Sequence, residues 1–197
     1  MINEARLKGI DSLEWLDIKL KLLTKEDLPT ICVWRNSPEV LPFMLPKVHV
    51  SMSVLLVWLN KILNLDTWFP YIIIYKGQKC GYFELKNIDY INKICESGMF
   101  FSPKYIGCGI GSYIMFIREA ILERLGVDDL ISNVSIYNVK SLSHMRKIGG
   151  ELLRKNGDIL TFVNRKKERR SRIFSLAKAI NMYDELINLI NISGKLT

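Results

Sequence analysis

The sequence has 197 residues, of which 49% are hydrophobic and 24% are charged, and its formal net charge is +8. This length and composition predict a globular protein with one well-packed domain, and no apolar run approaches the roughly 18 residues that a membrane-spanning helix needs. Six of the basic residues fall within residues 165–172, so the excess charge is local and we expect no nucleic-acid partner. The four cysteines lie far apart, there are two histidines, and the N-terminus has no long apolar segment. We therefore expect a reduced, cytoplasmic protein with no disulfide, no metal site and no signal peptide.

Hydrophobic periodicity predicts the secondary structure in chain order. Residues 18–23 alternate as a strand, a capping-box pattern at 24–27 begins a helix, and a second helix covers 51–63. Further strands are predicted at 69–75, 80–88, 94–101, 130–137, 151–154 and 159–164, and further helices at 111–125 and 138–148. The order β-α-α-β-β-β-α-β-α-β-β indicates an α+β fold, in which helices flank a mixed sheet with one parallel crossover.

The C-terminal part of the chain is predicted to be a separate element. Residues 1–165 form the domain just described, and residues 166–197 form a basic amphipathic helical extension. The apolar residues that repeat with helical spacing in the extension are Ile173, Leu176, Ala177, Ile180, Tyr183, Ile187 and Ile190. Such a helix can pack on the domain, bind a second subunit in a homodimer or lie on a membrane surface, and we expect no stable membrane insertion.

A glycine-rich turn is the most informative local feature. Gly107, Gly109 and Gly111 stand at every second position between the strand 94–101 and the helix 111–125. A turn of this kind directs several N–H groups and a helix N-terminus at one place, which suits a phosphate. The spacing matches neither the dinucleotide-binding pattern nor the P-loop, and a glycine turn without a ligand stays an alternative.

Three segments carry a resemblance to a known family. Residues 34–40 read Trp-Arg-Asn-Ser-Pro-Glu-Val, residues 105–111 contain the glycine turn, and Asn138 and Ser141 are followed by Lys-Ile-Gly at 147–149. In this order and spacing they resemble the GNAT superfamily of acyl-CoA-dependent N-acyltransferases, over roughly residues 18 to 164. The first segment resembles the branch that acetylates ribosomal-protein N-termini, aminoglycosides and amino sugars. The strand 95–103 is similar to the acetyltransferases of pseudaminic acid biosynthesis.

The resemblance implies a GNAT-like, mostly antiparallel sheet with a splayed parallel pair, and acetyl-CoA as the cofactor. In that family the glycine turn binds the pyrophosphate, and the strand before it pairs with the pantetheine arm through its backbone. Carried over to matching positions, the cofactor contacts are Phe100, Phe101, Ile106, Gly107, Cys108, Gly109, Ile110, Gly111, Ser112, Asn138 and Ser141.

Candidate catalytic residues follow from the chemistry of amine acetylation. Glu84 and Glu96 are carboxylates in otherwise apolar strands, so either one can take the proton from the amine, although each can also be a solvated or salt-bridged strand residue. Met145 falls where many family members place the tyrosine that protonates the thiolate. Tyr137, Ser141 and His144 are nearby stand-ins, and His144 is the candidate acid because it titrates in the useful range. Arg35 and Asn36 are candidate substrate ligands, with a helix-end salt bridge as the alternative role for Arg35.

These observations predict an acetyl-CoA-dependent N-acetyltransferase. Its expected partner is a small molecule with a primary amine, namely a nucleotide-linked amino sugar. The alternatives are a protein N-terminal acetyltransferase of the ribosomal-protein type and a non-catalytic CoA-binding module. A basic cleft lined by Arg35, Trp58, Trp68 and Phe69 would favour the sugar nucleotide.

Overall fold

The computed structural model describes residues 8–191. Its strands and helices are, in chain order, β1 (Ser12–Trp15), β2 (Ile18–Leu22), α1 (Leu28–Arg35), α2 (Met52–Ile62), β3 (Phe69–Tyr75), β4 (Gln78–Asp89), β5 (Ile94–Phe101), α3 (Ile110–Leu125), β6 (Asp129–Ser135), α4 (Val139–Lys147), β7 (Glu151–Asn156), β8 (Ile159–Asn164), α5 (Lys166–Ala179) and α6 (Tyr183–Asn191).

Within the described residues the strands form an eight-stranded sheet in the order β1-β2-β3-β4-β5-β6-β8-β7. The pairs β1–β2, β2–β3, β3–β4, β6–β8 and β7–β8 are antiparallel, whereas β5 and β6 are parallel. The parallel register joins Ile94–Glu96 to Asp129–Ile131, and β5 continues beyond it to Phe101. The predicted α+β fold with one parallel pair is confirmed.

Strand β1 was not expected from the sequence. It has four residues, in which Leu13 and Trp15 are buried, and it pairs with β2 across a turn where Leu16 has a φ of 55°. Four residues are too few for a period of two to be recognised, and the turn carries no glycine. These residues form a strand because they pair with β2, and the sequence pattern does not reveal that pairing.

The described chain groups into two compact units, one of residues 8–86 and 98–111 and the other of residues 87–97 and 112–191. In the first unit, the capping box begins at Thr24, whose backbone N–H donates to the Asp27 carboxylate at 2.9 Å. The Ser51 side chain accepts from the Val54 N–H and begins α2. The buried core between these helices and the sheet consists of Leu23, Leu28, Ile31, Leu55, Leu59, Ile62, Ile72 and Tyr82.

The second unit has its core on α3 and includes the C-terminal extension. The side chains Ile114, Ile117, Ile121 and Leu125 recur at helical spacing and are all buried, as the sequence predicts. The extension also contributes buried residues to this unit, namely Arg169, Ile173, Ala177, Leu186, Leu189 and Ile190.

The extension differs in two ways from the single amphipathic helix that was predicted. Asn181 has a φ of 55°, and this left-handed residue divides the extension into α5 and α6. Leu176 and Ile180, predicted for the apolar stripe, are 37% and 41% exposed, whereas Arg169 from the basic run is 1% exposed. Residues 192–197 and the side chain of Tyr183 lie outside the described residues. Among the helices that are described, none combines the length and the apolar character required to cross a membrane.

Candidate active site

The glycine-rich turn joins β5 to α3. After a 3₁₀ turn at Pro103–Tyr105, Gly107 and Gly109 have φ values of 85° and 81°, and α3 begins at Ile110. Both glycines therefore adopt the left-handed conformation that other residues enter only with strain. The residues 107–109 are exposed beside the helix N-terminus. This set of backbone donors fits the pyrophosphate of a CoA cofactor.

Two amides of the predicted cofactor set already have partners within the turn. The Ile106 N–H donates to the Pro103 carbonyl at 3.4 Å, and the Cys108 N–H donates to the Tyr105 carbonyl at 3.3 Å. The candidate donors to a phosphate are therefore the amides of Gly107, Gly109, Ile110, Gly111 and the exposed Ser112. Their contact with the cofactor stays a prediction.

Glu84 is a buried carboxylate with three hydrogen-bond donors. Its side chain accepts from Tyr82 Oη at 2.8 Å and from Trp68 Nε1 at 2.9 Å, both on Oε2, and from Lys86 Nζ at 2.7 Å on Oε1. Side chains alternate along a strand, so Tyr82, Glu84 and Lys86 share one face of β4. The register places Phe69 opposite Leu85, which brings Trp68 level with Lys86. An ionised carboxylate has about four acceptor positions, so one is left for a substrate or a water.

The tyrosine beside this carboxylate is held in its protonated form. Burial first, and then the charge of Glu84, raise the pKa of Tyr82 well above its usual value. Tyr82 therefore acts as a hydrogen-bond donor to Glu84 throughout the physiological pH range.

Aromatic rings surround the carboxylate. Trp58 of α2 lies edge-on to Trp68 with ring centroids 6.2 Å apart, and Phe100 of β5 stacks on Tyr82 at 5.2 Å. Trp58, Trp68 and Phe100 are only partly buried, so part of their surface is accessible to solvent. These residues define the Glu84 cluster: Trp58, Trp68, Tyr82, Glu84, Lys86 and Phe100.

Gly98 of β5 lies directly against the carboxylate. A Cβ atom built on Gly98 would lie 2.9 Å from Glu84 Oε1 and 3.2 Å from its Cγ. Distances this short would force the glutamate to move and to lose hydrogen bonds. Gly98 thus allows the side chain of Glu84 to lie where it does.

Glu96, the other candidate base, has a different environment. It is half-buried on β5, where its carboxylate accepts from Asn87 Nδ2 at 2.9 Å and from Asn133 Nδ2 at 3.5 Å. Both partners are neutral amides, and the bond from Asn133 is long. The structure therefore gives Glu84 the more extensive set of donors, while the role of Glu96 as a base stays a prediction.

The helix α4 carries the candidate acid and two candidate cofactor ligands. Burial first, and then the charges of Arg118 and Lys147, lower the pKa of His144 to about 4. The imidazole is therefore neutral at pH 7, which does not favour a role as a proton donor. Asn138 Oδ1 accepts from the Ser141 N–H at 3.1 Å, so this pair forms the N-cap of α4. Their contacts with a cofactor stay predictions.

The candidate substrate ligands at the end of α1 hold a loop. The Arg35 guanidinium donates to the carbonyls of Val48 at 2.7 Å and Pro46 at 3.1 Å. The Asn36 side chain exchanges two hydrogen bonds with the backbone of Val50. These structural roles were not apparent from the sequence, and substrate binding by either residue stays a prediction. Phe69, expected to line the cleft, is fully buried.

The sequence patterns did not place Tyr82 and Lys86 in the site, and they did not reveal the contact between Gly98 and Glu84. Tyr82 and Lys86 belong to it because they flank Glu84 at alternate positions of β4, a period of two that could have identified them. Gly98 belongs to it because of a close packing contact. No pattern in the sequence reports such a contact.

Comparison with solved structures identifies the fold as that of N-acetyltransferases. A spermidine N-acetyltransferase from Vibrio cholerae, in complex with CoA and spermine, has a TM-score of 0.70 and 17% identity, over 78% of this chain and 98% of that chain. The ribosomal-protein α-N-acetyltransferase RimL, in complex with coenzyme A, has a TM-score of 0.66 and 14% identity, over 78% of this chain and 97% of that chain. A comparison with curated proteins found no match.

The family model of the GNAT acetyltransferase domain matches residues 17–151, and the chain therefore belongs to the GNAT acetyltransferase family. The predicted enzyme class, an acyltransferase that acetylates amines, is confirmed. The donor expected from the sequence, acetyl-CoA, is the acetyl donor of this family.

Proposed function

We propose that this enzyme acetylates the primary amine of a small molecule that carries a sugar ring, with a nucleotide-linked amino sugar as the substrate class. The observation that carries the proposal is the Glu84 cluster, in which a carboxylate with one remaining acceptor position stands beside accessible indole rings. Aromatic faces pack well against the apolar face of a sugar, and the carboxylate can accept from its amine.

Acetyl-CoA supplies the activated acetyl group. In the proposed mechanism Glu84 accepts the proton of the acceptor amine, directly or through one water, while Tyr82 and Trp68 hold Oε2 in position. The neutral amine can then attack the thioester carbonyl. Gly98 has no Cβ atom, so it does not crowd Oε1 of Glu84.

The proposed mechanism does not need a residue of α4 to protonate the leaving thiolate. Met145 has no proton to donate, and the neutral imidazole of His144 is a weak donor at pH 7. A thiol with a pKa near the 8.5 or so of free cysteine can leave unprotonated close to neutral pH. The mechanism therefore relies on the base and on the positioning of the two reactants.

The binding of acetyl-CoA by the glycine turn is tested by a matched pair of substitutions. Gly109 and Gly77 have φ values of 81° and 75°, and a Cβ atom on either one meets nothing within 4 Å. Gly109→Val and Gly77→Val should therefore introduce similar backbone strain. Calorimetry should show loss of acetyl-CoA binding in the first variant alone. Equal affinity in both folded variants would contradict the proposed phosphate loop.

The acceptor is tested by thiol release from acetyl-CoA across a panel of nucleotide-linked amino sugars, ribosomal-protein N-terminal peptides and polyamines. We expect turnover with the amino sugars. Turnover with peptides alone would contradict the proposed substrate class. Acetyl-CoA binding without turnover on any amine would indicate the binding-module alternative.

A further inference from the structure

An ammonium group of the protein itself occupies part of the Glu84 cluster. Lys86 Nζ lies 2.7 Å from Glu84 Oε1 and 5.5 Å from the centre of the Trp68 ring. The side chains of Lys86 and Glu84 are 27% and 11% exposed, so the pair is close to the surface but largely shielded from it. The Glu84 carboxylate accepts from the N–H edge of Trp68, while the ammonium of Lys86 lies over the ring itself. A primary ammonium is stabilised both by pairing with a carboxylate and by lying over an indole ring.

We infer that Glu84 and Trp68 form an ammonium-binding site which Lys86 fills from within the chain, and that Lys86 is thereby the residue that selects against polyamine acceptors. The inference rests on the proposed function, because it assumes that acceptor amines approach Glu84. It adds to that function a reason why one class of amines is disfavoured.

The selection follows from charge. With Lys86 in place, the charges of Glu84 and Lys86 cancel, and Glu84 is the only carboxylate of the cluster. A polycation gains little attraction from a neutral pair and is repelled by the lysine when it comes close. Without Lys86, the cluster would present an uncompensated carboxylate among aromatic rings, which favours a polycation.

The substitution Lys86→Met tests the inference. Methionine keeps an unbranched stem beside Trp68 but is one heavy atom shorter, so it vacates the position of the ammonium. The matched control is Lys86→Arg, which keeps the positive charge. Spermidine is the probe, and its binding to each folded variant is measured by calorimetry without acetyl-CoA.

We expect Lys86→Met to bind spermidine at least tenfold more tightly than the wild type and Lys86→Arg, a change of about 1.4 kcal/mol. The gain should disappear in the double variant Lys86→Met, Glu84→Gln, because the carboxylate carries the attraction. Lys86→Ala serves as a second variant with the same expectation. Loss of a lysine that only supports the fold would not create this gain in affinity.

The inference is overturned if the wild type binds spermidine as tightly as Lys86→Met, or if neither Lys86→Met nor Lys86→Ala binds it more tightly. It is also overturned if the gain persists in the double variant. These outcomes are separate from a failure of the proposed function, which is judged by acetylation of amino sugars in the wild type.

Discussion

Two glutamates are buried within residues 8–191, and their surroundings differ in one decisive respect. Glu84 is hydrogen-bonded to a lysine, an indole and a phenol, and the lysine and the indole are partly exposed. Glu119 of α3 is bonded to Arg169 Nε at 2.8 Å, and both side chains are almost fully buried at 2% and 1% exposure. Each carboxylate has a cationic partner, but only that of Glu84 is partly exposed.

The second region explains why a buried charge pair need not be a catalytic site. Arg169 also donates to the carbonyls of Asp128 and Asn164, so within the second unit it ties α5 to the segment between α3 and β6 and to the end of β8. Arg118 is nearby, and burial lowers its pKa to about 10. Access of solvent and substrate to the carboxylate, rather than its burial or charge, therefore distinguishes a candidate base from a structural ion pair.

The largest effect is expected on the free energy of unfolding when the buried pair of Arg169 and Glu119 is broken. Arg169→Met leaves the Glu119 carboxylate without its cationic partner, which should lower the free energy of unfolding by about 3 kcal/mol or more. Arg170→Met is the matched control, because Arg170 is the next residue and its ion pair with Glu123 is partly exposed. Urea denaturation should show a loss within about 1 kcal/mol for this control. Similar losses in both variants would contradict the structural role of Arg169.

The next largest effect concerns turnover at Glu84. Glu84→Gln should lower kcat about a hundredfold at pH 7 in the folded variant, the scale expected for loss of a general base. Glu96→Gln, a substitution on the neighbouring strand β5, should change kcat less than about threefold. Steady-state kinetics with the best acceptor would measure both. A greater loss at Glu96 would assign the base to that residue instead.

A smaller effect is expected at Gly98. The added methyl of Gly98→Ala would lie 2.9 Å from Glu84 Oε1 and displace the carboxylate. We expect kcat to fall about tenfold, or about 1.4 kcal/mol of barrier. The same substitution in the Glu84→Gln background should have almost no further effect on kcat, because the two residues act as one unit. Additive losses would show that Gly98 acts by some other route.

The smallest effect concerns His144. Its pKa in the folded protein is about 4, below the ordinary value of 6.5, so the unfolded chain binds more protons between these two pH values. The stability that depends on the neutral imidazole is therefore complete above about pH 6.5 and is lost as the pH falls towards about 4.

This dependence can be measured by urea denaturation at pH 7 and pH 5. His144→Gln should reduce the loss of unfolding free energy between these pH values by about 1 kcal/mol, since solvent partly screens a half-buried group. The same variant should keep kcat within about tenfold of the wild type. A larger loss of kcat with unchanged CoA affinity would restore His144 as the acid.

The sequence predicts those features that depend on residues close together in the chain. The helical repeat of α3, the capping box at residues 24–27 and the glycine turn are local patterns, and the structure has them where they were expected. Glu84 was identified because a carboxylate within an apolar strand requires a partner.

Other features depend on which distant residues meet, and sequence patterns do not report that. The hydrogen bonds by which Arg35 holds the loop at residues 46–48 are one example. Arg169 is another example, because its partner Glu119 lies 50 residues away in sequence. The contact of Gly98 with Glu84 is likewise visible only in three dimensions.

The role of Glu84 as the base is tested most directly by the pH dependence of turnover. Wild type and Glu84→Gln should be compared with acetyl-CoA and the same acceptor from pH 6 to pH 10. We expect the variant to be most impaired at low pH and to recover towards high pH, where the free amine is already abundant. A Glu84→Gln profile with the height and shape of the wild-type profile would contradict it.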